Sequence, residues 1–308
     1  MRIAVMGTGG LGGYFGARLA QAGNDVAFIA RGAHLEAIRR EGLRVRSALG
    51  DLHIAPARAS ADPADVGPVD AVIFAVKLWD SERAAEQLAP LLGPRTLVVS
   101  FQNGVEKDET LARIVGREHV VGGVGYIAAA IEAPGVIRHT GTMQRLVFGE
   151  LDGTRTPRVE AFAAACAAAG IAHEVSPNIR LATWEKFVFL VGLSATTALI
   201  RQPIGPIRAN ARSRALFLQI MREVVELGLA SGVALDPAYA EGRLAFADSM
   251  PAEMMASMAV DLQRGNRLEL PWLSGAVARL GQQAGVSTPV NSFVADALDL
   301  YVSGNPGG

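Results

Sequence analysis

The chain has 308 residues, a formal net charge of −1 and a single cysteine, and 50% of its residues are hydrophobic. That length suits two domains, and the balanced charge leaves no basic footprint for nucleic acid or an acidic membrane surface. One cysteine excludes an intramolecular disulfide and any cysteine-based zinc site. Cys166, within "AFAAACAAAG", reads as a small buried thiol on a helix. His34, His53, His119, His139 and His173 are scattered without ligand-like spacing, so no structural metal is expected.

The N-terminus, "MRIAVMGTGGLGGYFGARLA", has one basic residue followed by apolar ones, but glycines interrupt the run. Cleavage there would also remove the most informative motif in the chain. The apolar stretch after Lys186 reaches Ile200, about 14 residues, short of the roughly 20 that span a bilayer. The expectation is a soluble, cytoplasmic protein.

"RIAVM", residues 2–6, reads as a short buried strand. "GTGGLGG" follows, then a helix over "YFGARLAQAG" that stops at Gly23, then a second strand, "DVAFIA", over 25–30. Gly7, Gly9 and Gly12 fill a G-x-G-x-x-G pattern between strand and helix. The three glycines permit a tight turn, close approach of the backbone to a pyrophosphate, and close helix–strand packing. The helix N-terminus directs free N–H groups and a positive dipole end at the same place. In this context the pattern points to a dinucleotide.

The second strand of such a unit usually ends at an acid that holds the NAD ribose. Here it ends in "FIARGAHLE", with Arg31 in place of an acid. An arginine fork suits a 2′-phosphate, so the cofactor is read as NADP(H).

"LRVRSALGDLHIAPA" reads as a hairpin off the main sheet. "DAVIFAVK", 70–77, reads as a buried strand, followed by a helix to about Leu92 and a strand over "TLVVSFQNG", 96–104. Ligands of open α/β sheets bind beyond the carboxyl ends of the strands, so Lys77 and Asn103 are candidates for cofactor or substrate. The alternatives are a solvent lysine and an Asn-Gly turn. Further strands are expected in "HVVGGVGYIAAAIEAPGVIRHTG", "RLVFGEL" and "IAHEV", with a helix over 155–169.

From about Asn178 the strand pattern disappears. "IRLATWEKFVFLVGLSATTALI", "SRALFLQIMREVVELGLASG", "EGRLAFADSM", "PAEMMASMAVDLQRG", "LPWLSGAVARLGQQAG" and "PVNSFVADALDLYV" each carry helical periodicity. "SGNPGG" reads as a frayed tail. The expected fold class is an α/β Rossmann-like N-terminal domain, residues 1–176, followed by an all-α C-terminal domain, residues 177–308, with the active site in the cleft between them.

Taken together, these segments resemble the ketopantoate reductases (2-dehydropantoate 2-reductases) over nearly the whole chain. The resemblance rests on "GTGGLGG", "VK" at Lys77, "QNG" at 102–104, "WEKF" at 184–187 and "SMAVDLQRGNRLELPWLSGA" at 257–276. It implies NADPH-dependent reduction of the ketone of a 2-oxo acid, in pantothenate biosynthesis. It implies Lys186 as general acid, Glu269 and Ser257 as substrate contacts, and Asn103 near the nicotinamide and the reacting centre. It also supports Arg31 as a 2′-phosphate contact. A positioned ammonium stabilises charge developing on the carbonyl oxygen and donates the proton. At an apolar wall it is desolvated, which lowers its pKa toward the working range, while Glu269 would oppose that drop and orient it. The alternative is a snorkelling lysine.

The resemblance breaks where the family carries asparagines. Leu190 and Ser194 stand four and eight residues after Lys186, on the same helix face, and Ile204 falls at a further such position. Ser194 could keep one substrate hydrogen bond. Losing amides changes specificity, so a more apolar ketone is an alternative substrate to ketopantoate. A non-catalytic NADP(H)-binding redox sensor is the other class. Retention of Lys186, Asn103, Ser257 and Glu269 favours the enzyme, because a sensor needs only the cofactor residues. The β-hydroxyacid dehydrogenases also use a lysine but lack the combined "QNG" and C-terminal pattern. The expected partner is a small 2-oxo acid, with no nucleic acid and no membrane; a homodimer stays open.

Overall fold

The structure is a computed structural model that describes residues 1–305. It divides into two compact units, Met1–Ala182 and Thr183 onward, so the dividing line falls inside a helix rather than at Ser176–Pro177.

The first unit runs β1 (Arg2–Met6), α1 (Gly10–Gln21), β2 (Asp25–Ile29), α2 (Gly32–Glu41), β3 (Leu43–Arg46), β4 (Leu52–Ile54) and β5 (Arg58–Ser60). It continues with β6 (Ala71–Phe74), α3 (Ser81–Glu86), β7 (Leu97–Ser100), α4 (Lys107–Val115), β8 (Val120–Ala133), β9 (Val136–Glu150), α5 (Pro157–Ala168) and β10 (Ala172–Val175). The strands form one sheet in the order β4-β3-β9-β8-β7-β6-β1-β2-β5, with β10 also on β9. β2, β1, β6, β7 and β8 run parallel, and β9 returns antiparallel to β8. The Rossmann-like core is therefore part of a larger mixed sheet.

Alternate residues of the central strands feed two apolar layers. Ile3 and Val5 join Tyr14 and Phe15 of α1 and Phe162 of α5. Ala4 and Met6 face the other way, with Ala84 and Ala85 of α3 and Leu111 of α4. Buried on both faces, these strands read as continuous apolar runs. Cys166 lies in the first layer on α5, fully buried, and burial pushes its thiol up to about 12.

The hairpin of β3 and β4 is not off the main sheet: β3 pairs in parallel with β9, Arg44 opposite Val136. The helix expected from 78 to Leu92 is broken into a 3-10 turn at Leu78–Asp80, α3, and a second 3-10 turn at Ala89–Leu91. Pro90 lies in the second turn, where it cannot donate to a continuing helix.

The second unit is helical. It comprises α6 (Ile179–Ile200, begun in the first unit), α7 (Ile204–Ala209), α8 (Ala211–Ala230), α9 (Tyr239–Asp248), α10 (Ser257–Gln263), α11 (Ser274–Ala284) and α12 (Pro289–Leu298). Among the described residues, α6 alone is long and apolar enough to cross a membrane, but 67% of its apolar window is buried inside the protein, as in a core helix. Glu223 of α8, 1% exposed, accepts from the N–H groups of Val290 and Asn291 at 2.9 Å, tying the start of α12 to α8. Arg208 donates to the carbonyls of Ala247 and Met250 at 2.6 Å, holding the end of α9. The helix expected over "PAEMMASMAVDLQRG" begins only at Ser257; the segment before it offers carbonyls, Met254 to the Ile204 N–H and Ala252 to that of Gly205. In the tail expected to fray, the Gly304 and Asn305 N–H groups donate to the carbonyls of Tyr301 and Gly265, and its last residues lie outside the described ones.

Candidate active site

Four loops leave the carboxyl ends of β1, β2, β6 and β7 along one edge of the sheet. The first is the glycine loop. Gly7 has φ +98°, a conformation that L side chains rarely adopt, and a Cβ there would meet the Val76 nitrogen at 2.7 Å. Thr8 pins the loop to β2, donating from both its backbone N–H and its hydroxyl to the Ile29 carbonyl at 3.1 and 2.9 Å. A Cβ on Gly12 would sit 2.2 Å from the Gly7 oxygen, so α1 packs as close to the turn as it does because that residue is glycine.

Gly9 is different. It caps α1 with φ −83°, which any residue adopts, and a Cβ there would meet no atom within 4 Å. Neither backbone conformation nor packing asks for glycine, whereas close approach of a ligand would. Gly9 offers α1 no capping side chain, which suits an anion at the first N–H groups of the helix. This cradle fits a dinucleotide pyrophosphate.

Arg31 is the N-cap residue of α2 and is exposed, with Nη2 3.7 Å from Asp80 Oδ2. Asp80 also accepts from Arg83 at 2.5 Å. Lys77 is exposed, and its ammonium lies 5.5 Å from the Trp79 ring centroid. Arg31, Lys77 and Asp80 thus stand at the ends of β2 and β6, on either side of the glycine loop of β1.

At the end of β7, Gln102 is buried and fully engaged. Its amide donates to the Val76 carbonyl at 2.8 Å and the Ser81 hydroxyl at 2.7 Å, and its carbonyl accepts from Ser100 at 3.0 Å. Gln102 therefore fixes the loop that presents half-buried Asn103. Beneath it, Lys107 donates to the Ser100 carbonyl at 3.1 Å and Asp108 at 2.8 Å, with its side chain 1% exposed. Burial pushes the Asp108 carboxyl above its usual range, against the pull of the Lys107 charge. The sequence reading missed this pair, because "VEKDET" looks like a solvated helix start.

In the second unit, Lys186 lies half-buried on α6 between buried Trp184 and Phe187, whose rings meet edge-to-face at 5.8 Å. Leu190, one turn on, is half-buried. Ser194, a further turn on, is 1% exposed, and its hydroxyl has no partner among the described residues. Its neighbours Thr196 and Thr197 bond back to the carbonyls of Gly192 and Leu193. Glu269 is 8% exposed and caps the 3-10 turn Leu270–Trp272. Ser257 opens α10 and is exposed. Ile204 is fully buried, so its side chain serves the core. A cavity of about 470 Å³ opens at the far end of α6, lined by Ile200, Gln202 and Arg212 among others, and contains none of the candidate residues.

Two family models match, "Ketopantoate reductase PanE/ApbA" over residues 3–153 and "Ketopantoate reductase PanE/ApbA C terminal" over residues 178–302. The chain belongs to the ketopantoate reductase family. A 2-dehydropantoate 2-reductase of Mesorhizobium japonicum is 34% identical over 310 residues, covering 94% of each chain. An uncharacterized oxidoreductase of Bacillus subtilis, YkpB, is 31% identical and covers 98% of this chain and 99% of its own. Among solved structures, a PanE/ApbA family ketopantoate reductase from Ralstonia eutropha JMP134 superposes with a TM-score of 0.89 at 34% identity, over 98% of both chains. A ternary structure of D-mandelate dehydrogenase with NADH and anilino(oxo)acetate has the same TM-score, 0.89, at 21% identity, a likeness of fold. This member of the ketopantoate reductase family is thus an oxidoreductase by family, with a Rossmann-like first unit and a helical second one.

Proposed function

We propose that the protein reduces the ketone of a 2-oxo acid with NADPH, acting on 2-dehydropantoate or a close, more apolar analogue. The observation that carries this reading is the pairing, in one chain of this family, of an open glycine cradle at Gly9 with Lys186 on α6. When bound, the cofactor supplies the hydride. The α1 N-terminus holds its pyrophosphate, Arg31 takes the 2′-phosphate, and Lys77 contacts the cofactor. Lys186 stabilises negative charge developing on the carbonyl oxygen and gives up the proton. Asn103, Ser257 and Glu269 orient the substrate. Leu190, in a position where the family carries an amide, favours an apolar substituent there. A screen of 2-oxo acids with NADPH, followed by loss of cofactor absorbance, tests the reading. Oxidation of NADPH by at least one 2-oxo acid is expected, and none with any of them contradicts it.

A further inference from the structure

Asp80 stands between two arginines of the first unit. Its Oδ2 lies 3.7 Å from Nη2 of Arg31, at the start of α2, and its Oδ1 accepts from Nη2 of Arg83 on α3 at 2.5 Å. One carboxylate therefore bridges guanidiniums from two different elements. Asp80 directly precedes α3, where an aspartate ordinarily caps the helix with its side chain, yet it makes no such bond. Its carboxylate goes to the arginines instead. Glu82, the neighbour of Arg83, pairs away from them, with Arg113 of α4. Among the described residues, neither Arg31 nor Arg83 has a second carboxylate within 4.0 Å.

The turn that carries Asp80 is held independently of these contacts. The Asp80 N–H donates to the Lys77 carbonyl at 2.9 Å, and the Gln102 amide bonds Val76 before the turn and Ser81 after it, at 2.8 and 2.7 Å. Arg83 follows on the first turn of α3, so its backbone is placed by the same bonds. Two guanidiniums against one carboxylate leave an excess of one positive charge. The Arg31 and Arg83 side chains are 59% and 63% exposed, so an incoming anion reaches both, and surface pairs such as theirs with Asp80 are weak. A phosphate monoester carries a charge of about −1.5 to −2 at pH 7, and its oxygens match arginine forks as a carboxylate does. It balances both cations, where Asp80 balances one.

We propose that Arg83 is a second contact of the cofactor 2′-phosphate, which takes the place Asp80 holds between Arg83 and Arg31. Arg83 is thereby a specificity-determining residue for NADPH over NADH. This rests on the reading of the cofactor as NADP(H), with Arg31 at its 2′-phosphate.

The test titrates NADPH and NADH, with Kd read by calorimetry, into wild type, Arg31→Ala, Arg83→Met, Arg83→Lys, Asp80→Asn and the double variant Asp80→Asn/Arg83→Met. Arg83→Met should weaken NADPH at least about fivefold and move NADH less than about twofold. Arg83→Lys, which keeps a charge but not the fork, should fall between. The same NADPH-selective loss should persist when Arg83→Met is added to Asp80→Asn, where no acid remains for Arg83 to draw away from Arg31. A loss that vanishes in that background makes Arg83 only a partner of Asp80 and overturns the proposal. Equal weakening of both cofactors, or of neither, overturns it too. If Arg31→Ala weakens NADPH selectively and Arg83→Met does not, Arg83 alone falls and the NADP(H) reading stands. If wild type binds the two cofactors equally and Arg31→Ala changes neither, that reading falls and the role of Arg83 with it.

Discussion

Arg31 Nη2 lies 3.7 Å from Asp80 Oδ2, so the cation expected to hold a 2′-phosphate already has a carboxylate beside it. The Arg31 side chain is 59% exposed, and a surface pair of this kind is weak. A phosphate, with more charge and a bidentate fit, competes with Asp80 for the guanidinium. NADPH is therefore expected to bind at least tenfold more tightly than NADH, a difference of about 1.4 kcal/mol. Arg31→Ala should weaken NADPH and spare NADH, and Asp80→Asn should strengthen NADPH. Cofactor titrations check this; equal affinities in the wild type would be the contrary result.

Gly9 and Gly12 separate ligand binding from folding. Gly9→Ala meets no protein atom and should leave the melting temperature within about 2 °C of wild type while weakening NADPH at least tenfold. Gly12→Ala drives a Cβ to 2.2 Å from the Gly7 oxygen and should destabilise by about 1–3 kcal/mol. Thermal melts run beside cofactor titrations distinguish the two.

Lys107→Met should cost about 3 kcal/mol, because it leaves the Asp108 carboxylate without its cation while the Ser100 carbonyl loses a donor. Lys107→Met/Asp108→Asn should recover part of that. Burial raises the Asp108 pKa, so its protonated form is the one favoured by folding. The penalty of the single variant should therefore be smaller near about pH 4 than near about pH 8, where the unpaired carboxylate must stay charged. Urea melts at the two pH values measure this.

The glycine loop and α6 were legible because their signals are local. Gly7, Gly9 and Gly12 fall between two apolar runs, and "IRLATWEKFVFLVGLSATTALI" is α6 from end to end. What the sequence hid depends on distant partners. The hairpin of β3 and β4 belongs to the main sheet only because Val45 finds Ile137 on β9, and nothing near residue 45 announces that pairing. "PAEMM" has helical spacing, yet its carbonyls are claimed by Ile204 and Gly205.

In the candidate site, residue types were readable and surroundings were not. Gln102, in "QNG", spends its amide on Val76 and Ser81, so it positions its neighbour. Lys107 reads as solvated and is buried.

The proposed function places Leu190 beside the substrate. An apolar wall cannot bond a hydroxyl, and burying one unpaired costs about 1–3 kcal/mol, roughly 5- to 150-fold in kcat/KM. Trimethylpyruvate should therefore outperform ketopantoate in the wild type, and Leu190→Asn should reverse the order. A tenfold wild-type preference for ketopantoate with no gain in Leu190→Asn would show that another wall bonds the hydroxyl.

The most direct test of the account is the single-turnover rate of Lys186→Ala, measured with NADPH prebound and a 2-oxo acid that the wild type reduces. Loss of the general acid should slow hydride transfer by roughly 10²–10⁴-fold. NADPH affinity, which the proposed function assigns to Gly9 and Arg31, should remain within twofold of wild type. A Lys186→Ala protein that binds NADPH and reduces the same 2-oxo acid at near wild-type rate would make Lys186 a snorkelling lysine and contradict the account.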